Sequence, residues 1–267
     1  MSNRADTEFF EFENNRLAYR RFGNGTITLL AFHGFGQSGQ VFSALQKSLG
    51  ERYTILAIDL FFHGQSSYHT TQLLSKPDWA RLIDAFLQLR QVNRFSLVGF
   101  SLGGRFALAT VESFAIRIDQ LVLIAPDGIT RNVWYWIATG SSAGRWLFRR
   151  LLTHLPLLNA VGHGLTSIGL LNRTVMRFVE ISLSTPQQRE RVHVSWTQFR
   201  LIKPDLDQIR GLLHQYPVRV RFFTGAFDRI VPGRYILPLT KQLHHYELTV
   251  FQTGHNHLIE LAGEQLD

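Results

Sequence analysis

The pattern Gly-x-Ser-x-Gly occurs twice in this chain, in "VGFSLGG" around Ser101 and in "GSSAG" around Ser142. A serine in this pattern works as a nucleophile when it sits on a sharp strand-to-helix turn. Its Oγ then projects above the C-terminal edge of a sheet, and small neighbours permit the strained backbone. Ser101 meets these demands. "FSLVGF" reads as a buried strand and "GGRFALATV" as a helix, while Gly99, Gly103 and Gly104 keep side chains out of the turn. Ser142 follows "NVWYWIAT" and precedes the basic "GRWLFRRLL", with no βα unit around it. Its small-residue cluster reads as a break between two helices.

A serine hydroxyl needs a base to take its proton, and the base works best when a third group orients it. Both partners are expected after later strands. Asp228 follows "RVRFFTGAF" and His255 follows "LTVFQTG". Each has a rival: Asp127 also follows a strand, "LVLIAP", and His257 lies two residues beyond His255 in "GHNHL". A zinc site on the His-x-His pair would need a third ligand, and none has suitable spacing, so neither metal nor cofactor is expected. The oxyanion formed by attack on a carbonyl calls for preorganised donors. The backbone amides of Leu102, at the start of the helix after Ser101, and of Phe35, in the glycine-rich "HGFGQSG", are placed to supply them.

Those residues must be carried by a sheet. Apolar runs alternate with amphipathic stretches from the start, the pattern of an α/β chain with a mostly parallel central sheet and helices on both faces. "FFEFE" and "LAYRRF" read as an opening antiparallel hairpin, and "TITLLAF", "YTILAIDL", "FSLVGF" and "DQLVLIAP" as strands. Helices are expected over "QVFSALQKSLG" and over "PDWARLIDAFLQLRQV", where Trp79, Leu82, Ile83, Phe86 and Leu87 share one face. From Asp127 to about Leu206 the strand signal stops. It returns at "PVRVRFFTG", followed by a helix from about Gly233 to Leu243, the strand "YELTVFQ" and a closing helix. The expected organisation is a core of residues 1–126 and 207–267 interrupted by a helical insertion, 127–206, too long for an ordinary loop.

Composition narrows the chemistry. There is no cysteine, which excludes disulfides, thiolate catalysis and cysteine-ligated zinc. The acidic start "MSNRADTEFFEFE" differs from a signal peptide, and a cytoplasmic location is expected. The charge-free "THLPLLNAVGHGLTSIGLLN" carries two His, two Asn and three Gly and is a poor membrane span. The net charge is +8, and between Asp127 and Arg210 ten Arg and one Lys face three Asp and two Glu. A solvated basic surface is the ordinary reading of that excess; an anionic ligand or a membrane surface is the alternative, and a nucleic-acid partner is not expected. The Trp-rich "RNVWYWIATGSSAGRWLFRRLL" could pack against its own domain or make weak contact with a membrane surface.

Taken together, these motifs resemble the α/β-hydrolase superfamily. "HGFG" is similar to its oxyanion loop, "DLFFHGQSS" to the turn after its second parallel strand, "GFSLGG" to its nucleophile elbow, "GAFDRIVP" to its acid loop and "GHNHLIE" to its histidine loop. The insertion falls where the family places a cap. One departure is Phe62, where members often have Gly. The resemblance implies a Ser-His-Asp hydrolase of small molecules, with a carboxylic ester or similar acyl group as substrate. Trp134, Tyr135, Trp136 and Trp146 would then shape an apolar acyl pocket. "SLGGR" and "GHN" are also similar to the pyruvate-eliminating synthase of menaquinone biosynthesis. That likeness implies carbon-carbon bond chemistry, with substrate contacts at Arg105 and at Phe100, which stands where that enzyme has Tyr; a non-catalytic binding module of the same fold is the other alternative. Oligomeric state is not legible.

Overall fold

A computed structural model of the chain describes residues 6–130, 132–170 and 172–266. The hairpin forms as β1 (Thr7–Phe12) and β2 (Asn15–Phe22). The remaining strands are β3 (Ile27–Phe32), β4 (Tyr53–Ile58), β5 (Phe95–Phe100), β6 (Ile118–Ile124), β7 (Arg219–Gly225) and β8 (Glu247–Phe251). They make one sheet in the order β1-β2-β4-β3-β5-β6-β7-β8, parallel from β4 onward. Every residue of β5 is buried, as its unbroken apolar run requires of a strand covered on both faces.

The helices, apart from two four-residue turns, are α1 (Lys76–Leu89), α2 (Leu102–Phe114), α3 (Val133–Gly140), α4 (Ser142–Thr153), α5 (Leu155–Ser167), α6 (Arg173–Ser182), α7 (Pro186–Gln198), α8 (Leu206–Gln215) and α9 (Leu258–Gly263). Helix α1 starts where Ser75 and Asp78 form a reciprocal capping box with Pro77 in the first turn, and it buries the five apolar residues named above. Alternation along the strands divides the core. One face carries Phe32, packed edge-on to Trp79 at 5.4 Å, and Trp79 in turn meets Phe106 of α2 at 4.8 Å. The other face joins Ala31, Val98, Phe100 and Ile124 to Phe42, Leu45 and Leu258.

Two expected helices differ in form. Gly39–Leu45 is a 3-10 stretch followed by one α-turn, Gln46–Leu49. Its start is fixed by close approach: a Cβ on Gly39 would lie 2.4 Å from the Ala57 carbonyl oxygen, and its amide donates to Asp59 Oδ1 at 2.6 Å. Gly233–Ile236 is likewise 3-10, followed by a short turn Leu237–Thr240 that carries Pro238 at its start.

The chain divides into two compact units, Met1–Thr130 with Ile202–Asp267, and Arg131–Leu201. The second consists of α3 to α7 with a 3-10 turn at Phe199–Leu201, and α8 belongs to the first. Among the described residues, no helix is long and apolar enough to cross a membrane.

Candidate active site

Ser101 stands between β5 and α2 with φ 51° and ψ −117°, a conformation that L-residues rarely adopt. The surrounding backbone holds it there. Its amide donates to Ile124 O at 3.0 Å, and its carbonyl accepts from the amides of Gly104 (2.9 Å) and Asp127 (2.8 Å). The glycines are needed because backbone meets backbone: a Cβ on Gly103 would fall 1.8 Å from Phe32 O, and one on Gly99 2.6 Å from Gly103 O. The start of α2 is therefore pressed onto the end of β3. Among the described residues, Ser101 Oγ makes no hydrogen bond. Ser142 instead opens α4; Ser141 caps that helix by accepting from the Gly144 amide at 2.9 Å, and no strand precedes it.

Parallel pairing sets what lies beside Ser101. Phe32 is opposite Gly99, so the "HGFGQSG" loop leaves β3 at the same sheet edge as the serine turn. Two anchors fix that loop. His33 Nε2 accepts from the Leu60 amide at 3.0 Å while Nδ1 donates to Gly34 O at 2.7 Å, which defines its tautomer, and Asp59 takes the Gly39 amide at the other end. Asp59 is fully buried and also binds Arg20 at 2.8 Å and the Gln65 amide at 2.9 Å. No spacing or residue pattern singles out His33 or Asp59 beyond their place in the loops after β3 and β4. The amide of Leu102, first in its helix, has no intrahelical acceptor. Among the described residues the amide of Phe35 donates to no backbone or side-chain group, and its ring lies edge-on to His63 at 5.2 Å.

Adjacent strands β7 and β8 bring the acid and the imidazole together. Asp228 is 3% exposed; its Oδ1 accepts from the amides of Ile230 (2.8 Å) and Val231 (2.9 Å), and its Oδ2 accepts from His255 Nδ1 at 2.6 Å. A carboxylate can only accept in that bond, so Nδ1 carries the proton and Nε2 presents its lone pair. The His255 ring lies 4.9 Å from the Phe100 ring at 30°, and Phe100 in turn meets Gly34, where a Cβ would be 3.0 Å from the ring. One aromatic side chain thus spans the "HGFG" loop and the histidine loop.

Among the described residues neither rival side chain bonds to Asp228 or His255. His257 is exposed, with φ 66° at the start of α9, and binds no carboxylate among the described residues. Asp127 pairs with Arg105, a residue only 7% exposed, and its other oxygen accepts from the Gly128 amide at 2.8 Å. Arg105 therefore sits beside an acid on the crossover after β6. Phe62 adopts φ 65°, the left-handed region that glycine favours, and its ring packs edge-on against Tyr68 at 5.6 Å. In the second unit, Tyr135 packs inward on Trp196 (5.2 Å) and donates its hydroxyl to Trp196 O at 3.0 Å, whereas Trp134, Trp136 and Trp146 are exposed. Among the described residues no cluster of His, Cys, Asp or Glu could hold a metal ion.

Comparison with known proteins places the fold. An uncharacterised protein of Mycobacterium tuberculosis is 31% identical over 173 residues, 61% of this chain and 50% of that protein, so the match spans about half the relative's length. The uncharacterised hydrolase YugF of Bacillus subtilis is 26% identical over 263 residues, 92% of this chain and 90% of the relative. Among solved structures, the esterase RhEst1 from a Rhodococcus species superposes with a TM-score of 0.62 at 20% identity, covering 97% of this chain and 94% of the other. The family described as alpha/beta hydrolase fold matches residues 27–261. With the strand order and the serine turn already in place, that match shows that this chain belongs to the α/β-hydrolase family.

Proposed function

We propose that the protein is a serine hydrolase that cleaves a carboxylic ester or a similar acyl substrate through a covalent acyl-enzyme. The observation that carries this reading is the His255–Asp228 bond on the loops after β8 and β7, in the same parallel sheet whose β5 ends at the strained Ser101. Ser101 Oγ attacks the carbonyl carbon as His255 Nε2 takes its proton, and the carbonyl electrons move to oxygen. The amides of Phe35 and Leu102 stabilise that oxyanion. Collapse of the intermediate breaks the bond to the alcohol oxygen, and His255 returns the proton so that the alcohol leaves. Water then adds to the acyl-enzyme with His255 again as base, and the acid departs as Ser101 regains its proton.

The carbon-carbon lyase alternative asks Arg105 for a carboxylate-binding role. The ion pair of Arg105 with Asp127 supplies that guanidinium with an internal anion, which favours the ester reading. A series of p-nitrophenyl esters of increasing acyl length tests the reading. Turnover by the wild type and its loss in Ser101→Ala is expected. A folded protein that turns over no ester, yet eliminates pyruvate from a dicarboxylated substrate, would transfer the assignment to the lyase.

A further inference from the structure

We propose that the α3–α4 helical pair is a docking surface for anionic lipid, a peripheral membrane-binding face on the second unit. The inference stands on that unit's own surface and does not depend on the catalytic reading. Three of the chain's five tryptophans lie on these two helices, and all three are exposed: Trp134 by 54%, Trp136 by 60% and Trp146 by 62%. Val133, Ile137 and Leu147 are exposed beside them. The other two tryptophans are partnered within the protein, Trp79 in the core and Trp196 against Tyr135 and Phe148. Large apolar side chains clustered in this way cost free energy in water and indicate a covering surface.

Charge indicates which surface. Residues 131–201 contain nine Arg, no Lys, no Asp and two Glu, a net charge of +7 out of +8 for the whole chain. Arginine is interleaved with the tryptophans: Trp146, Arg149 and Arg150 occupy positions i, i+3 and i+4 on one face of α4, and the Arg150 guanidinium lies over the Trp146 ring at 5.6 Å. Arg149 and Arg150 are exposed. Indole belongs at the boundary between headgroups and acyl chains, and guanidinium at the phosphates just outside it. A second copy of the chain would bring the same positive charge to the interface and be repelled. A nucleic acid would satisfy the arginines but leave Val133, Ile137 and Leu147 in water.

Sedimentation of the full-length protein with vesicles tests this, using pure phosphatidylcholine and an equimolar mixture of phosphatidylcholine and phosphatidylglycerol. Binding to the anionic vesicles is expected, with a blue shift of tryptophan emission and weakening as salt is raised. The Trp134→Ala, Trp136→Ala, Trp146→Ala triple variant should lose more than about a hundredfold in partitioning. Arg149→Gln with Arg150→Gln should lose about 25-fold, roughly fivefold per arginine. Circular dichroism and thermal unfolding confirm that each variant is folded. Failure of the folded wild type to bind anionic vesicles overturns the proposal, as does equal binding by the folded tryptophan variant. So does lipid-free self-association, seen by analytical ultracentrifugation, that the tryptophan variant abolishes.

Discussion

Replacing each of the two candidate acids by its amide separates their roles. In Asp228→Asn the oxygen that accepts from the Ile230 and Val231 amides can remain, so the loop is retained. The new NH2 group, however, faces His255 Nδ1, where a carboxylate now accepts at 2.6 Å. Two donors cannot share that bond, so the imidazole must present Nδ1 as acceptor and carry its proton on Nε2, the wrong tautomer for a base. Loss of tautomer control with geometry intact lowers turnover by about 10⁴-fold, close to 5.5 kcal/mol of transition-state stabilisation. Asp127→Asn should reverse the pattern. It removes the charge from a pair whose carboxylate is 27% exposed, and weakening such a charge-assisted bond costs about 1–3 kcal/mol of stability. At about 2–4 °C per kcal/mol for a chain of this size, the midpoint should fall by roughly 2–12 °C, with turnover below the transition largely kept. Ester turnover and thermal unfolding of the two variants decide the matter. Catalytic collapse in Asp127→Asn with an active Asp228→Asn would refute the acid assignment.

Other perturbations follow from the same geometry. His255→Ala should reduce ester turnover by several orders of magnitude while the exposed His257→Ala does not, because triad members act as a unit; steady-state rates of the two variants provide the check. Gly103→Ala places a methyl 1.8 Å from Phe32 O, a contact that backbone cannot yield, and should leave little soluble folded protein, whereas Gly164→Ala, with open space around it, should express normally. Tyr19 donates to Glu8 at 2.7 Å; burial first, and then that bond, push its pKa up to about 12 from an unfolded value near 10. The native state favours the protonated phenol, so this contribution is full below pH 10 and is lost as pH rises from 10 through 12. The wild-type midpoint should therefore fall more steeply than that of Tyr19→Phe across that interval.

Local patterns were legible in the sequence because the determining physics is local. The buried face of α1 and the unbroken apolar run of β5 each announce their element in a few residues, whereas the Ser75–Asp78 box that starts α1 was not read from the sequence. The glycine cluster around Ser101 is legible as a motif, although only the approach of Gly99 to Gly103 is local and Gly103 itself meets Phe32 O on another strand. What escaped depends on pairing over distance. Arg105 and Asp127 each looked available for chemistry, and only the return of the chain through β6 brings them together, 22 positions apart. Asp59 and His33 hold the loop after β3 through buried bonds that no spacing reveals. The 3-10 form of Gly39–Leu45 follows from contact with Ala57 on a neighbouring strand, so helical periodicity alone could not predict it.

The central claim is that Ser101 is a nucleophile activated by His255. Its most direct test is covalent labelling by a fluorophosphonate, with the adduct located by peptide mass spectrometry. Stoichiometric labelling on Ser101 is predicted, with no labelling of Ser142, loss of the adduct in Ser101→Ala and much slower labelling of folded His255→Ala. Folded wild type that stays unlabelled, or an adduct on Ser142, would contradict the account.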